Sequence, residues 1–355
     1  MYFLTSPKEL KTAALAASKA CDIKAAVSAL NGILLKLDGT NLTATGYNLE
    51  LGISIKMQVN GAKNGSAIVD GTALANILGK LEQTKSVEIG IENEIMTIKQ
   101  GKVKMTLATQ SGENFPSRPE TSNSFEIEAE TLKKIINQTV YAVSVDDIKP
   151  TMCGCRFASE NGVLKVDATD GMRIAHVEDK CDADMSIVCP SKFLNEVMKN
   201  IEKGIVKFGT GGNLISVTTE NATIISRMLD GDFINLEKFL NNEAKSLCVI
   251  DTTAFAKALD RSQLVAEKSR MPITAKFSTG KVELSCYAGI GNFEEEVECD
   301  YTGEAITISF NGKYMLDAIS HADSLTATIG LNTSITPMTV KADRYTALVL
   351  PVRTK

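Results

Sequence analysis

Val163-Leu164-Lys165-Val166-Asp167-Ala168-Thr169-Asp170-Gly171-Met172-Arg173-Ile174-Ala175 reads as strand, sharp turn, strand. Leu164 and Val166 alternate with polar neighbours, the period-2 pattern of a half-buried strand. Asp170-Gly171 marks a hairpin turn, because glycine accepts the positive φ that such turns need. Two distant relatives of this stretch lie in the same chain: Asn41-Leu42-Thr43-Ala44-Thr45-Gly46-Tyr47-Asn48-Leu49 and Lys281-Val282-Glu283-Leu284-Ser285-Cys286-Tyr287-Ala288-Gly289. The middle copy differs in exposing Met172, Arg173 and Ile174 after its turn. Three copies therefore predict a scaffold, with the working surface on the middle one.

Outward from these stretches, two helix series advance in step. The first opens at Ser6-Pro7-Lys8-Glu9, a capping box with proline at the first helical position. Leu10, Ala14, Ala17 and Cys21 then share one face. Leu132, Ile135, Ile136, Thr139 and Val143 repeat these offsets, and so do Phe255, Leu259, Ser262 and Ala266 behind a cap at Asp251 or Thr252. The second series runs through Leu74, Ile77, Leu78 and Leu81, then Leu194, Val197, Met198 and Ile201 after Pro190-Ser191, then Met315, Ala318, Ile319 and Ala322. All use helical spacing, and both series advance by about 120 residues per copy, the mark of a tandem repeat. Turn signals at Asp38-Gly39, Glu92-Asn93, Asn161-Gly162, Gly211-Gly212-Asn213 and Thr279-Gly280 separate short strands rich in Val, Ile and Thr. Each copy is expected to lay two helices on mostly antiparallel sheet, an α+β layout. Polar joints near 116–123 and 241–246 divide the chain into domains 1–122, 123–244 and 245–355.

A chain of 355 residues exceeds one ordinary core. With 44% apolar and 23% charged residues it reads as globular rather than disordered. No apolar run is long enough to span a membrane. Met1-Tyr2-Phe3-Leu4-Thr5 lacks a signal-peptide layout and reads as a first strand. The eight cysteines include no Cys-x-x-Cys. Cys153 and Cys155, at alternate positions of a predicted strand, are a candidate metal pair, but His176 and His321 supply no spaced partners. Reduced thiols in a cytoplasmic protein are the simpler reading.

Catalytic signatures are missing. There is no P-loop, no Gly-x-Ser-x-Gly elbow and no His-Glu-x-x-His helix. Gly289-Ile290-Gly291-Asn292-Phe293-Glu294 begins like a dinucleotide fingerprint but lies between strands and reads as a turn. Asp146-Asp147 reads as a helix-terminal loop, since adjacent residues point apart. No cofactor, no metal and no catalysis are expected.

A net charge of −5 argues against a nucleic-acid binder if taken alone. The distribution says more. Lysine and arginine crowd the helices and their flanking turns, among them Lys24, Lys133, Lys134, Lys149, Lys192, Lys199, Lys203, Arg261 and Arg270, while Glu294-Glu295-Glu296 and Glu298-Cys299-Asp300 sit on a predicted strand. If the helices share one side, that side would hold a phosphate backbone without reading bases. From charge alone, solvation of exposed helix faces explains the same pattern.

The whole pattern resembles the β sliding clamps of bacterial DNA polymerase III, over essentially the full chain. The resemblance rests on the triple repeat and on local stretches: Leu30-Asn31-Gly32-Ile33-Leu34-Leu35, Phe115-Pro116, Ala168 to Ala175, Leu229-Asp230-Gly231-Asp232-Phe233, Phe310-Asn311-Gly312-Lys313-Tyr314 and Leu348-Val349-Leu350-Pro351-Val352-Arg353. Thr-Asp-Gly-x-Arg and the terminal Pro-x-Arg are the most specific. The family implies a head-to-tail homodimer ring with helices lining the hole, threaded by duplex DNA of any sequence. The ring tethers the replicative polymerase, the clamp loader and other proteins through a short clamp-binding peptide.

Carried over residue by residue, the family's peptide pocket falls on Met152, Thr169, Gly171, Met172, Arg173, Ile174, Ile234, Lys238, Phe239, Asn311, Tyr314, Pro337, Met338, Leu348, Leu350, Pro351, Val352 and Arg353. That mixture of Met, Ile, Leu and Tyr suits an apolar anchor groove. Arg173 and Arg353 are expected at its border. Family members usually carry histidine where Met172 stands and proline where Ile234 stands. The DNA-contacting positions match Lys24, Lys149, Lys192 and Arg270. The dimer contact matches Val103, Met105 and Leu107 on an alternating strand, facing Leu264 of the partner; such an apolar edge would aggregate if nothing covered it.

Overall fold

The computed structural model describes residues 1–22, 24, 26–146, 148–181, 183–241 and 243–353. Asp147 of the candidate carboxylate pair lies outside the described residues, as do the last two positions of the expected third domain. The chain falls into two compact units, residues 1–130 with 195–228, and residues 131–194 with 229–355. The middle third of the chain thus contributes to both. The reason is strand pairing: Ala222–Arg227 adds to Leu51–Gln58 in the first unit, and Arg173–Lys180 adds to Tyr345–Val349 in the second. Each unit is built on one extended sheet, of 13 strands in the first and 12 in the second, with every neighbouring pair antiparallel among those described.

The helices are α1 (Pro7–Ser18), α2 (Gly71–Leu78), α3 (Ala129–Thr139), α4 (Ser191–Asn200), the single turn α5 (Glu237–Leu240), α6 (Thr252–Ser269) and α7 (Gly312–Ser320). Side chains cap them at Ser6 and Asp251, as the sequence predicts, and also at Asp70. Ser6 Oγ accepts from the Glu9 N–H at 3.5 Å, and Asp70 Oδ1 accepts from Thr72 and Ala73 at 2.9 Å each. Asp251, rather than Thr252, caps α6, accepting from the Ala254 N–H at 2.7 Å. In the first unit α1 and α2 bury Leu10, Ala14, Leu74 and Leu78 against Phe3, Leu35, Leu42 and Ile98 of the sheet. In the second, α6 and α7 bury Phe255, Leu259, Ser262, Ala266 and Met315.

Five helices end earlier than their apolar spacing predicts: Leu81, Ile201 and Ala322 lie beyond the ends of α2, α4 and α7, as Cys21 and Val143 lie beyond those of α1 and α3. α1 stops at Ser18, because Lys19, Ala20 and Cys21 each bond three residues back and tighten the last turn. Cys21 lies beyond it. In α3 the Thr139 hydroxyl donates to the Ile135 carbonyl at 2.8 Å, Val140–Ala142 winds into a 3-10 turn, and Val143 falls outside. Cys153 closes a second 3-10 turn, Pro150–Cys153, and Cys155 alone is in the strand that follows. The two cysteines are therefore not alternate residues of one strand. No cysteine is in a disulfide, and no group of three or more His, Cys, Asp or Glu among the described residues could hold a metal ion. No helix among the described residues is long and apolar enough to cross a membrane.

Candidate functional site

The hairpin between Val163–Thr169 and Arg173–Lys180 in the second unit is held by its own side chains. Asp170 Oδ1 accepts from the backbone of Met172 at 2.9 Å and of Arg173 at 3.0 Å. Thr169 Oγ1 accepts from the Gly171 N–H at 3.0 Å and donates to the Arg173 carbonyl at 2.7 Å. Gly171 sits at φ +87°, where a side chain would be strained. The turn leaves the Met172 side chain 57% exposed. The Met172 carbonyl accepts from the Leu350 N–H at 3.0 Å, which brings the C-terminal segment alongside. Ile174 stands opposite Leu348 across the paired strands.

Arg173 is not on the rim of this surface, as its place after the turn suggested. Its Nε donates to Asp170 Oδ2 at 3.0 Å, one Nη to the Asp317 carboxylate and the other to the Tyr141 carbonyl at 2.7 Å. The guanidinium lies 4.5 Å from the centre of the Tyr314 ring and 5.3 Å from that of Tyr141. Burial alone would lower its pKa, but the hydrogen bond to Asp317 and the charge of Asp170 outweigh it and raise the pKa above the ordinary guanidinium value. Beneath it the hydroxyls of Tyr141 and Tyr345 meet at 2.5 Å, and that of Tyr345 donates to the Ala318 carbonyl at 2.9 Å. Arg173 is thus the keystone of the turn. Arg173→Met should cost the second unit about 3 kcal/mol, because Asp170 and Asp317 would lose their counter-charge in a largely dehydrated place. Urea unfolding of the full chain measures this, and a loss well under 1 kcal/mol would return Arg173 to the solvated rim.

The other expected residues divide into an exposed layer and a floor. Met172, Ile234, Phe239, Leu350 and Val352 are exposed apolar side chains, whereas Thr169, Met338 and Leu348 are buried. Phe239 and Lys238, on α5, line a small cavity of about 80 Å³ with Pro337 and Leu348. The Met152 methyl lies 3.7 Å from where a Cβ on Gly171 would stand. Asn311 has its side chain committed to capping α7, at 3.0 Å from the Lys313 N–H, and Tyr314 serves Arg173. Pro351 bridges to Phe310, and the Val352 N–H donates to the Ser309 carbonyl at 2.7 Å, so the chain end is pinned up to Val352. Arg353 is exposed. Tyr141, Asp170 and Asp317 are the residues that sequence reasoning missed in this role. Asp170 carried a signal as a turn residue; the other two carried none, since their partner is 32 and 144 positions away.

A polar cluster occupies the same sheet farther along. His176 Nδ1 lies 2.7 Å from Asp167 Oδ1, Arg156 lies 3.5 Å from Asp167 Oδ2, and His176 Nε2 lies 3.4 Å from Glu178. These groups line a cavity of about 1050 Å³ with Leu236, Glu237 and Leu240. Asp167 supplies the counter-charge within the cluster.

Lys24, Lys149, Lys192 and Arg270 are all exposed, and none is in an ion pair among the described residues. By contrast Lys134 pairs with Asp323, Lys199 with Glu196, Lys203 with Glu130 and Arg261 with Glu295, which removes those four from the free positive charge. Arg270 is the αL cap of α6 at φ +53°, a position where glycine would be favoured by about 1 kcal/mol. Val103 and Met105 are exposed, Leu107 is partly buried against the first unit's core, and Leu264 on α6 is 74% exposed.

Family models of the DNA polymerase III beta subunit match the chain in order: the N-terminal domain over residues 1–119, the central domain over 126–235 and the C-terminal domain over 237–353. The chain is 28% identical to the beta sliding clamp of Halalkalibacterium halodurans and 27% identical to that of Bacillus subtilis, with 95% of each chain covered in both comparisons. Among solved structures, the beta subunit from the DNA polymerase of Streptococcus pyogenes superposes with a TM-score of 0.93 at 22% identity, and the DNA polymerase sliding clamp of Bacillus subtilis with 0.92 at 24%, each over the full length of both chains. These two likenesses establish the fold. With the three consecutive family matches, they make the chain a member of the DNA polymerase III beta subunit family, the beta sliding clamps.

Proposed function

We propose that two copies of this chain close head to tail into a ring around duplex DNA in the cytoplasm, and that the groove beside Met172 tethers the replicative polymerase, the clamp loader and other proteins carrying a short clamp-binding peptide. Members of this family confer processivity and do no chemistry themselves. The observation that carries the reading is the run of three family matches from residue 1 to residue 353. The same matches support clamp domains at 1–122, 123–244 and 245–355.

The groove is supported by five exposed apolar side chains over a buried floor, on a turn that Arg173 holds rigid. Rigid apolar anchors next to a pinned backbone are what a short extended peptide needs. Lys24, Lys149, Lys192 and Arg270, exposed and in no ion pair among the described residues, support contact with phosphates rather than bases. Arg270 keeps a side chain where the backbone favours glycine, which fits a residue held for its charge.

The seam is supported by two open strand edges. Within Val103–Ser111, residues 103–108 pair with Ile95–Gln100 on one side, while only 109–111 pair on the other. Within Gly291–Thr302, residues 291–298 pair with Lys281–Ala288, and the other side is taken only from 299 onward. Lys102, in the turn before it, and Lys104 stand by the first edge; Glu294, Glu298 and Glu296, the last paired with Lys281 at 2.7 Å, stand along the second. Unpaired N–H and C=O groups with opposite charges beside them favour joining edge to edge.

The test is retention on DNA of defined topology. Protein loaded onto a nicked circle should stay through a wash at high salt that removes direct electrostatic binding, and linearising the circle should release it within minutes. Equal loss from intact and cut circles would remove encirclement from the account.

A further inference from the structure

In the first unit, Leu34, Thr45, Ser54 and Thr223 stand directly opposite one another across four neighbouring strands. Residues in such a row share one face of the sheet, and Lys56, two positions after Ser54, shares it too. The second unit has the matching row: Arg156, Asp167, His176 and Thr346. The correspondence is positional. Thr45 and Asp167 are each fifth in strands of seven residues, and Ser54 and His176 are each fourth in strands of eight.

The chemistry of the two rows differs in one respect. In the second unit Asp167 neutralises Arg156 from within the row. In the first unit the row holds hydroxyls and no acid, yet a guanidinium is laid across it. Arg118 Nη1 donates to Ser54 Oγ at 2.7 Å, and Ser54 Oγ lies 2.9 Å from Thr45 Oγ1. Gly52 makes room for the arginine: a Cβ there would sit 3.1 Å from Arg118 Cδ and 2.9 Å from Ile225 Cγ2. Neither Arg118 nor Lys56 is in an ion pair among the described residues. Both line a cavity of about 450 Å³ with Thr43, Thr45, Thr223 and Phe115, and Glu220 is the only acid in its lining. Burial holds Arg118 below the ordinary guanidinium value, with Glu120 and Tyr47 offsetting part of it. It stays charged at neutral pH, so it is a partly desolvated cation with most of its five donors unused.

We propose that this cavity is a binding site for a phosphate-bearing small molecule, whose oxyanion takes the place that Asp167 fills in the second unit. A carboxylate has two oxygens, which the guanidinium fork alone would satisfy. The row offers more: the Lys56 ammonium and the hydroxyls of Thr45 and Thr223 suit a group with three or more acceptor oxygens. The volume falls in the range of small-ligand sites, and the site is separate from the peptide groove, which belongs to the second unit.

The experiment is a titration of the full-length protein with pyrophosphate, inorganic phosphate and acetate, followed by calorimetry and by phosphorus NMR line broadening. Saturable binding of pyrophosphate is expected, with phosphate weaker and acetate weakest. Arg118→Gln should weaken it by about tenfold or more, as loss of a charge-assisted contact does. Arg118→Gln could also loosen the segment that carries it. Lys56→Gln therefore serves as the second variant, because Lys56 is exposed and its loss should reduce affinity with the melting temperature unchanged. A triple Lys24→Gln, Lys149→Gln, Arg270→Gln variant should bind as the parent does. Absence of saturable binding, loss of binding in the triple variant but not in Arg118→Gln, or acetate binding as tightly as phosphate would each overturn the assignment, and Arg118 would then be a tie between its segment and the sheet.

Discussion

Met105→Glu combined with Leu107→Asp is expected to leave the protein monomeric at concentrations where the parent is a dimer. Both side chains stand on the 103–108 segment, whose outer edge is open. Met105 is 40% exposed, and Leu107 is anchored partly in the first unit's core. In a ring, pairing of that edge with 291–298 of another copy would dehydrate both positions. A carboxylate placed there loses its water without gaining a counter-charge, so desolvation opposes the contact. Taking about 2 kcal/mol for each site gives roughly a thousandfold weaker association. Sedimentation equilibrium measures it directly. Retention on circular DNA should be lost with the dimer, while peptide binding to the groove should be unchanged. A double variant that still sediments as a tight dimer would place the seam elsewhere.

The fold was legible where local chemistry decides it, and illegible where distant residues do. Asp170-Gly171, Asn161-Gly162 and Thr279-Gly280 give hairpins because positive φ is a property of the residues at the turn. The caps at Ser6 and Asp251 form because each side chain reaches only three residues along. Apolar spacing overran the ends of α1 and α3, since Cys21 and Val143 keep helical offsets after the backbone has tightened. The partition of the middle third between two units had no signal, as it depends on pairing between strands such as Leu51–Gln58 and Ala222–Arg227, far apart in sequence. In the groove, the apolar side chains were legible through the family resemblance, but the commitment of Arg173 to Asp317 was not. An arginine after a turn looks solvated until the carboxylate that receives it is found. The same holds for Arg118, which reads as part of a polar joint and is a half-buried cation over a row of hydroxyls.

Met172→Lys combined with Leu350→Asp is expected to abolish binding of a clamp-binding peptide while leaving the dimer intact. The two positions are coupled, since the Leu350 N–H donates to the Met172 carbonyl at 3.0 Å and both side chains are exposed. Met172 stands where family members usually carry histidine, and its unbranched thioether can follow the shape of an aliphatic peptide anchor. Burying a lysine and an aspartate under an apolar anchor costs the anchor's burial and the desolvation of both charges. Central anchor positions of this kind lose about 2 kcal/mol or more each, so a combined fall of roughly a thousandfold is expected. The backbone contact between residues 172 and 350 survives substitution, and the Asp170–Arg173–Asp317 network lies beneath the turn, so the fold should hold. Titration of a fluorescent Gln-Leu-x-Leu-Phe peptide against parent and variant reads the affinity, and sedimentation of the same samples reads the dimer. Unchanged affinity would remove this groove as the tether. Loss of the dimer or of the melting transition along with the affinity would mean that Met172 closes the core of the second unit instead of serving a partner.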